Sequence, residues 1–333
     1  MYVWNIKRGM DEIMNILITS AGTRNKVVQY FKKEFNGIGK VIATDMSDLA
    51  PAVYEADNYY LVQRIDDPQY IEKLLEICKK ENINCLFALI DPELSLIAKN
   101  KEKFLEIGVT PLISNYDAVE LAFDKYEMYK YLSSNGFKCA KSYIDKEDFY
   151  KDLDSGLISF PVFVKPYKGS ASININKVNS KEEIDTLFDV YDDLLIQEYL
   201  DGQEIGADVY IDPISKKVVS IFTKEKIKMR AGETDKARSF KDQKLFDLVI
   251  ELVEKIGYEY MIDMDIFKIN NEYYISEINP RFGGGYPHAY ECGVNFPKLI
   301  INSMNKVENC NEIGNYEENI FMMKYNEMMI IKK

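Results

Sequence analysis

Short apolar runs alternate with amphipathic stretches over residues 14–111. Ile16-Leu17-Ile18, Val41-Ile42-Ala43 and Leu86-Phe87-Ala88-Leu89-Ile90 read as buried strands, with helices over Val27 to Phe35 and Ile71 to Cys78 between them. This βαβ rhythm predicts a small parallel sheet. From about Ser114 the pattern changes. A helix over Asp124 to Leu132 stops before Gly136, and Phe160 to Pro166 forms a strand carrying Lys165 at its end. Leu194 to Leu200 is a buried-strand pattern that leaves at Asp201-Gly202 and resumes from Glu204 to Ile211. Met261 to Phe267 and Tyr273 to Glu277 form a further strand pair, joined through Asn270-Asn271. Asparagine tolerates the left-handed backbone that tight hairpins need.

The most informative chemistry ends that last strand, in Glu277-Ile278-Asn279-Pro280-Arg281 followed by Gly283, Gly284 and Gly285. Side chains two apart on a strand share a face at about 6.6 Å, so Glu277 and Asn279 offer hard oxygen donors side by side. One carboxylate there can bridge two metal ions. Arg281 repeats the period, and its planar fork suits phosphate oxygens; the glycines would let backbone approach a ligand closely. Asp265 on the neighbouring strand would add a third oxygen ligand. Parity then constrains the hairpin. A simple two-residue loop would place Asp265 opposite Ser276 and turn Glu277 to the other face. A shared site therefore requires an odd-length loop or a bulge, most simply a three-residue turn of Ile269, Asn270 and Asn271 that pairs Lys268 with Glu272.

Composition narrows the field. With 42 basic and 54 acidic residues among 333, the net charge of -12 argues against a nucleic-acid surface. No apolar run approaches the ~18 residues of a spanning helix. Five cysteines without ligand-like spacing fit reduced thiols in cytoplasm, and a single histidine, His288, weakens any histidine-based triad or metal site. Residues 1–13 read as a disordered leader ahead of the first strand. Thr19-Ser20-Ala21-Gly22-Thr23 stands where a dinucleotide-binding turn would, with Asp45 after the second strand, but the full glycine pattern is missing. Lys168-Gly169-Ser170-Ala171-Ser172 reads as a flap whose backbone could cradle phosphate, or as a plain hairpin. Arg230-Ala231-Gly232-Glu233 brings an arginine into a loop, either as a clamp for an anionic substrate or as a surface ion pair.

Taken together, Lys125, Lys165 with Gly169-Ser170, Gln197-Glu198-Tyr199-Leu200 with Gly202 and Glu204, Asp265, and Glu277 to Arg281 resemble the ATP-grasp superfamily. The chain is similar, more narrowly, to single-unit proteins like the carbamoyl-phosphate synthase large subunit, through Ile90-Asp91-Pro92-Glu93-Leu94, Arg230 to Glu233 and Arg281 to Pro287. The resemblance implies an α/β and α+β chain: a Rossmann-like pre-ATP-grasp domain over 14–113, then a two-lobed ATP-grasp domain over 114–333, with a small lobe near 125–200 and a large lobe near 201–333. It implies ATP and Mg2+ as cofactors, with two ions and with Mn2+ able to substitute. Lys125 and Lys165 would touch the phosphates, Gly169 and Ser170 would belong to the flap, and Gln197, Glu198, Tyr199 and Leu200 would form the adenine segment, read by Glu198 and the Leu200 backbone. Glu204 would take the ribose. Asp265, Glu277 and Asn279 would ligate metal, and Arg281 would steady the transferred phosphoryl group, with Arg230 on the substrate.

Three positions depart from the family pattern, Ala171 and Asn174 in place of flap glycines and Asp265 in place of glutamine. The implied activity is carboxylate–amine ligation through an acyl phosphate, on small-molecule or short-peptide acids, by an enzyme with neither nucleic-acid nor membrane partners and with a homodimer among the assemblies open to it. The alternatives are a nucleotide-binding regulatory protein without turnover and, more weakly, a dehydrogenase.

Overall fold

The computed structural model describes residues 13–169, 175–230 and 232–332, so the expected leader, apart from Ile13, lies outside them. Two compact units emerge. One runs to Leu89 and resumes over Asn100–Leu112; the other comprises Ile90–Lys99 and the described chain from Ile113 onward.

The first unit contains β1 (Asn15–Thr19), α1 (Asn25–Glu34), β2 (Val41–Asp45), β3 (Asn58–Leu61), α2 (Tyr70–Lys80) and β4 (Ile83–Ala88). After α3 (Asp91–Lys99), which groups with the second unit, it adds α4 (Lys101–Glu106) and β5 (Thr110–Pro111). Its sheet has the order β3-β2-β1-β4-β5, all parallel. Every residue of β1 is buried, which explains the unbroken apolar run. α1 covers the sheet with Val27, Val28, Tyr30 and Phe31, and the Phe31 ring lies 4.8 Å from that of Phe87. The turn after β1 closes on the protein itself: the Gly22 N–H donates to Asp45 Oδ2 at 2.8 Å, and Asp45 Oδ1 also accepts from Ser47 N at 2.9 Å. The two groups that a dinucleotide would need from this turn are bonded to each other.

In the second unit, α5 (Tyr116–Phe123) and α6 (Lys125–Ser134) lead into β6 (Ser142–Tyr143), α7 (Lys146–Asp154), β7 (Val162–Pro166), β8 (Asn176–Val178), α8 (Lys181–Val190) and β9 (Leu194–Glu198). Asp124 caps α6 by accepting from the Tyr126 and Glu127 amides. The four-stranded sheet has the order β6-β9-β7-β8 and is antiparallel. Val162, Val164, Ile196 and Val178 point from it into a core shared with Phe149 of α7 and Ile184 of α8. Strand alternation then sends Phe163, Lys165 and Gln197 to the opposite face.

The remaining strands are β10 (Gln203–Ile211), β11 (Val218–Arg230), β12 (Glu233–Phe240), β13 (Tyr260–Ile269), β14 (Glu272–Asn279) and β15 (Phe321–Met323), with α9 (Gln243–Ile256), α10 (Tyr286–Glu291) and α11 (Phe296–Met304). They form an antiparallel sheet in the order β14-β13-β10-β11-β12-β15. One face is apolar, with Ile205, Ala207, Val209, Ile221, Ile262, Met264, Ile266, Ile275 and Ile278 all buried. Each such side chain stabilises the sheet by at most roughly 1.5–3 kcal/mol.

The β13–β14 turn differs from the expected three-residue form. Ile269 pairs with Glu272, leaving Asn270 and Asn271 as a two-residue loop with φ of 50° and 63°. Two positive-φ residues are what a type I′ turn requires, and it matches strand twist better than a longer turn would. The parity requirement is met further along. Ile266 pairs with Ile275 but Asp265 pairs with Glu277, so Ser276 is the additional residue of a β-bulge.

Candidate active site

Downstream of that bulge the second face of the large sheet becomes ionic. In register, Gly206 and Asp208 of β10 align with Lys224 and Phe222 of β11, and Glu204, Gly206 and Asp208 align with Phe267, Asp265 and Asp263 of β13. Asp265 and Asp263 in turn face Glu277 and Asn279 of β14. The three expected metal ligands, Asp265, Glu277 and Asn279, therefore share one face. Lys226 Nζ lies 2.8 Å from Glu204 Oε1 and 2.5 Å from Asp265 Oδ1. Desolvation pushes the Asp265 carboxyl up, to about 6, against the pull of Lys226. Deeper in the face, Lys224 is ion-paired to Asp208, and both side chains are fully buried. Aromatic residues close that end: the Tyr210 ring lies 5.5 Å from Phe296, and Phe222 packs edge-on against His288 at 5.0 Å.

Lys165, on the open face of the small sheet, feels the charges of Glu277, Lys125 and Asp265; desolvation lowers its ammonium to about 8, which Glu277 partly offsets. Lys125 Nζ donates to the Gly169 carbonyl at 2.5 Å, fixing the entrance of the expected flap. Gly169 has φ +124°, a backbone region that favours glycine. Ser170, Ala171 and Asn174 lie outside the described residues. A cleft with about 330 Å³ of empty space is lined by Lys125, Met128, Tyr129, Gln197, Ser276 and Glu277 among others. A neighbouring one of about 250 Å³ is lined by Asp91, Leu94, Phe123, Gly169, Glu277 and Asn279 among others. Glu277 borders both.

Arg281 is committed to protein partners. Its Nε and Nη2 meet Asp91 Oδ1 and Oδ2, each at 3.2 Å, while Nη1 donates to Asp263 Oδ2 and to the Phe282 carbonyl, each at 3.3 Å. Such a two-sided clamp fixes the guanidinium plane. Two of the glycines that follow, Gly283 and Gly285, leave room for charged side chains of the ionic face. A Cβ at Gly283 would stand 2.2 Å from Asp263 Oδ1, and one at Gly285 would stand 2.8 Å from Lys224 Nζ.

The other expected positions are more dispersed. Gln197 faces the cleft and donates to Ser142 Oγ at 3.0 Å. Glu198 is tied to the residue that precedes β6: its carboxylate accepts from Lys141 N at 3.0 Å and its own N–H donates to Lys141 O at 2.8 Å. Tyr199 stacks under Lys177, whose Nζ is 3.8 Å from the ring centre, and Leu200 is buried. Glu204 is shared with Lys226, as above. Arg230 sits apart at the end of the β11–β12 hairpin, half exposed, with Nη2 3.3 Å from Asp235 Oδ1 and 3.4 Å from Asn326 Oδ1. Its described partners thus include no member of the Glu277–Asn279 face. Sequence reasoning missed Lys226, Lys224, Asp208 and Asp263 as members of this face. Their only advance signal was a period-two run of charges on strands otherwise buried.

Among the described residues no group of three or more His, Cys, Asp or Glu side chains is arranged to hold a metal by itself. Two carboxylates and one amide oxygen on a shared face still suit Mg2+, which keeps water and phosphate oxygens for its remaining positions. The donor set fits the ion. Among the described residues no helix is long and apolar enough to cross a membrane.

Comparison with known proteins agrees with this architecture. Residues 16–112 match the model of the PylC-like N-terminal domain, and residues 122–285 match the ATP-grasp domain. A carbamoyl-phosphate synthase of Methanobrevibacter smithii is 25% identical over 294 residues, covering 83% of this chain and 76% of that one. A D-alanine--D-alanine ligase of Fervidobacterium nodosum is 25% identical over 305 residues, covering 79% and 90% respectively. Among solved structures, the biotin carboxylase domain of Hydrogenobacter thermophilus 2-oxoglutarate carboxylase, in complex with MgADP and bicarbonate, superposes with a TM-score of 0.75 at 17% identity, over 92% of this chain and 73% of that one. The Rossmann-like sheet followed by two antiparallel lobes is thus the expected fold, and the chain carries a PylC-like N-terminal domain followed by an ATP-grasp domain.

Proposed function

We propose that this protein is an ADP-forming carboxylate–amine ligase that acts on a small-molecule or short-peptide acid. The observation that supports this best is the bulge at Ser276, which brings Asp265, Glu277 and Asn279 onto one face of the sheet, where Glu277 lines a cleft with Lys125 and, with Asp265, acts electrostatically on Lys165. A hairpin without the bulge would leave Glu277 on the apolar side.

In this reading, Lys125 and Lys165 hold the polyphosphate, and Glu204 accepts from the ribose hydroxyls. A substrate carboxylate oxygen attacks the γ-phosphorus, the bond to the β-bridging oxygen breaks, and ADP leaves. The resulting acyl phosphate has a good leaving group where the free acid had oxide. An amine nitrogen then attacks the acyl carbon, inorganic phosphate departs, and the amine proton passes to solvent. Mg2+ held by Asp265, Glu277 and Asn279 would supply Lewis-acid stabilisation of the phosphoryl oxygens. Arg281, clamped by Asp91 and Asp263, contributes a cation of fixed orientation, and positioning accounts for most of the remaining acceleration. No enzyme nucleophile is required.

The test is ADP release across a matrix of acids and amines with Mg2+ or Mn2+, with product mass as the second readout. ATP binding without ADP release from any pair would favour the regulatory alternative. Gel filtration across a concentration series checks for a homodimer, the form in which the H. thermophilus domain is described.

A further inference from the structure

Lys226 is attached two strands away from its partner. In the order β11-β10-β13, with strands roughly 4.8 Å apart, its ammonium must cross β10 to reach Asp265. Gly206 makes the crossing possible, being directly opposite Asp265 on one side and Lys224 on the other. A Cβ at Gly206 would lie 3.3 Å from Lys226 Cε and 2.8 Å from Lys224 Cε. The lysine stem is buried, at 4% exposure, while the two carboxylates it joins keep 26% and 25% of theirs. Its cationic end is therefore internal, while its acidic partners stay partly open to solvent. Asp265 is also directly opposite Glu277, close enough for two unpaired carboxylates to repel.

We propose that Lys226 is a positioning residue for the nucleotide site. It holds Glu204 and Asp265 as one preformed unit and offsets their charge, so that a polyanionic nucleotide can settle against a face that carries Glu204, Asp265 and Glu277. The proposal rests on the reading of this cleft as the ATP site. Of the two Asp265 oxygens, Oδ1 is given to Lys226, which leaves Oδ2 for the ligand side. Lys226 touches neither phosphate nor acceptor in this arrangement; it acts through the two acids.

The test is Mg-free ATP binding by calorimetry in EDTA at pH 8, which needs no turnover and no knowledge of the acid or amine. Lys226→Met should weaken ATP binding at least tenfold, and Lys226→Arg should restore most of it. Asp265→Asn alone should tighten Mg-free ATP binding at least threefold, and in the Lys226→Met background it should recover most of the lost affinity, because the charge left uncompensated is removed. If Lys226→Met does not fold, the Asp265→Asn result decides alone: unchanged or weaker binding overturns the proposal. Equal losses with and without Asp265→Asn would mean that the lysine stem only fills space, and would also overturn it. A wild type that binds no nucleotide even when Mg2+ is restored overturns the ATP-site reading and this proposal together, whereas a wild type that binds only with Mg2+, or a Lys226→Met variant that binds as well as wild type in EDTA, overturns this proposal alone.

Discussion

Asp265 lies directly across the sheet from Glu277, although a count back from the Asn270-Asn271 turn would set it against Ser276. The intervening bulge makes two carboxylates neighbours on an otherwise ordinary antiparallel pair. Their proximity favours a divalent cation and penalises its absence, since like charges opposed across a ladder destabilise it. Glu277→Gln should therefore abolish ADP formation, by at least a hundredfold, while leaving the melting temperature equal to or above that of wild type without metal. Near-normal ADP production by the folded variant would remove Glu277 from the chemistry.

Lys165 offers a contrast between stability and activity. Its ammonium falls from 10.5 to about 8 on desolvation, so the folded chain binds that proton less well than the unfolded chain does. The resulting cost is fully present below about pH 8 and fades as pH rises towards 10.5. Lys165→Met should be at least as heat-stable as wild type at pH 7, with the advantage vanishing near pH 10.5, and should lose most ATP affinity. Thermal shifts at both pH values, beside a nucleotide titration, check both halves.

His288 is a buried neutral imidazole. Its Nε2 lies 3.0 Å from the Ile320 carbonyl, which can only accept, so the proton sits on Nε2; desolvation lowers the group from 6.5 to about 4. Stability contributed by keeping it neutral is complete above pH 6.5 and is lost as pH falls towards 4, by at most about 3 kcal/mol. Urea unfolding at pH 7 and pH 4.5 should show this loss in the wild type and a smaller one in His288→Gln. An identical pH slope in the two proteins would rule out the histidine as its source.

Gly283→Ala should cost roughly 3–5 kcal/mol, the range for leaving a buried charged group without its partner. Its Cβ would collide with Asp263 Oδ1, and Asp263 is one of the two acids that orient Arg281. Catalytic loss should accompany the destabilisation. Denaturant titration and ADP release on the same preparation test this, and an alanine variant with wild-type values in both would show that the loop relaxes freely.

The turn itself can be improved. Asn271 has φ 63° in a two-residue hairpin, a position where glycine adopts the conformation without steric cost. Asn271→Gly is expected to change stability by about +0.5 kcal/mol and to leave nucleotide binding untouched. Destabilisation of 1 kcal/mol or more in urea would argue against the type I′ assignment.

The alternation of Glu277, Asn279 and Arg281 was legible because a strand displays its period in the sequence itself. So was the need for a bulge or an odd loop, by parity; its place at Ser276 was not, because nothing in one strand records where its partner slips. The lysines were hidden for a different reason. Lys224-Glu225-Lys226-Ile227-Lys228 has the look of a solvated charge run, and only the adjacency of β10, with glycine at 206, turns two of those lysines inward. Asp91 and Arg281, 190 residues apart, could meet only through tertiary structure.

The ionic face draws on four strands whose contributions begin at Glu204 and end at Asn279. During synthesis, a chain whose exposed part stops short of β14 would hold Glu204, Lys226 and Asp265 without Glu277, a cation trap lacking its opposing wall. Nucleotide held against that wall can therefore report the moment when β14 pairs with β13, and a ribosome-bound series with successive stall points would read that pairing as the onset of ATP retention.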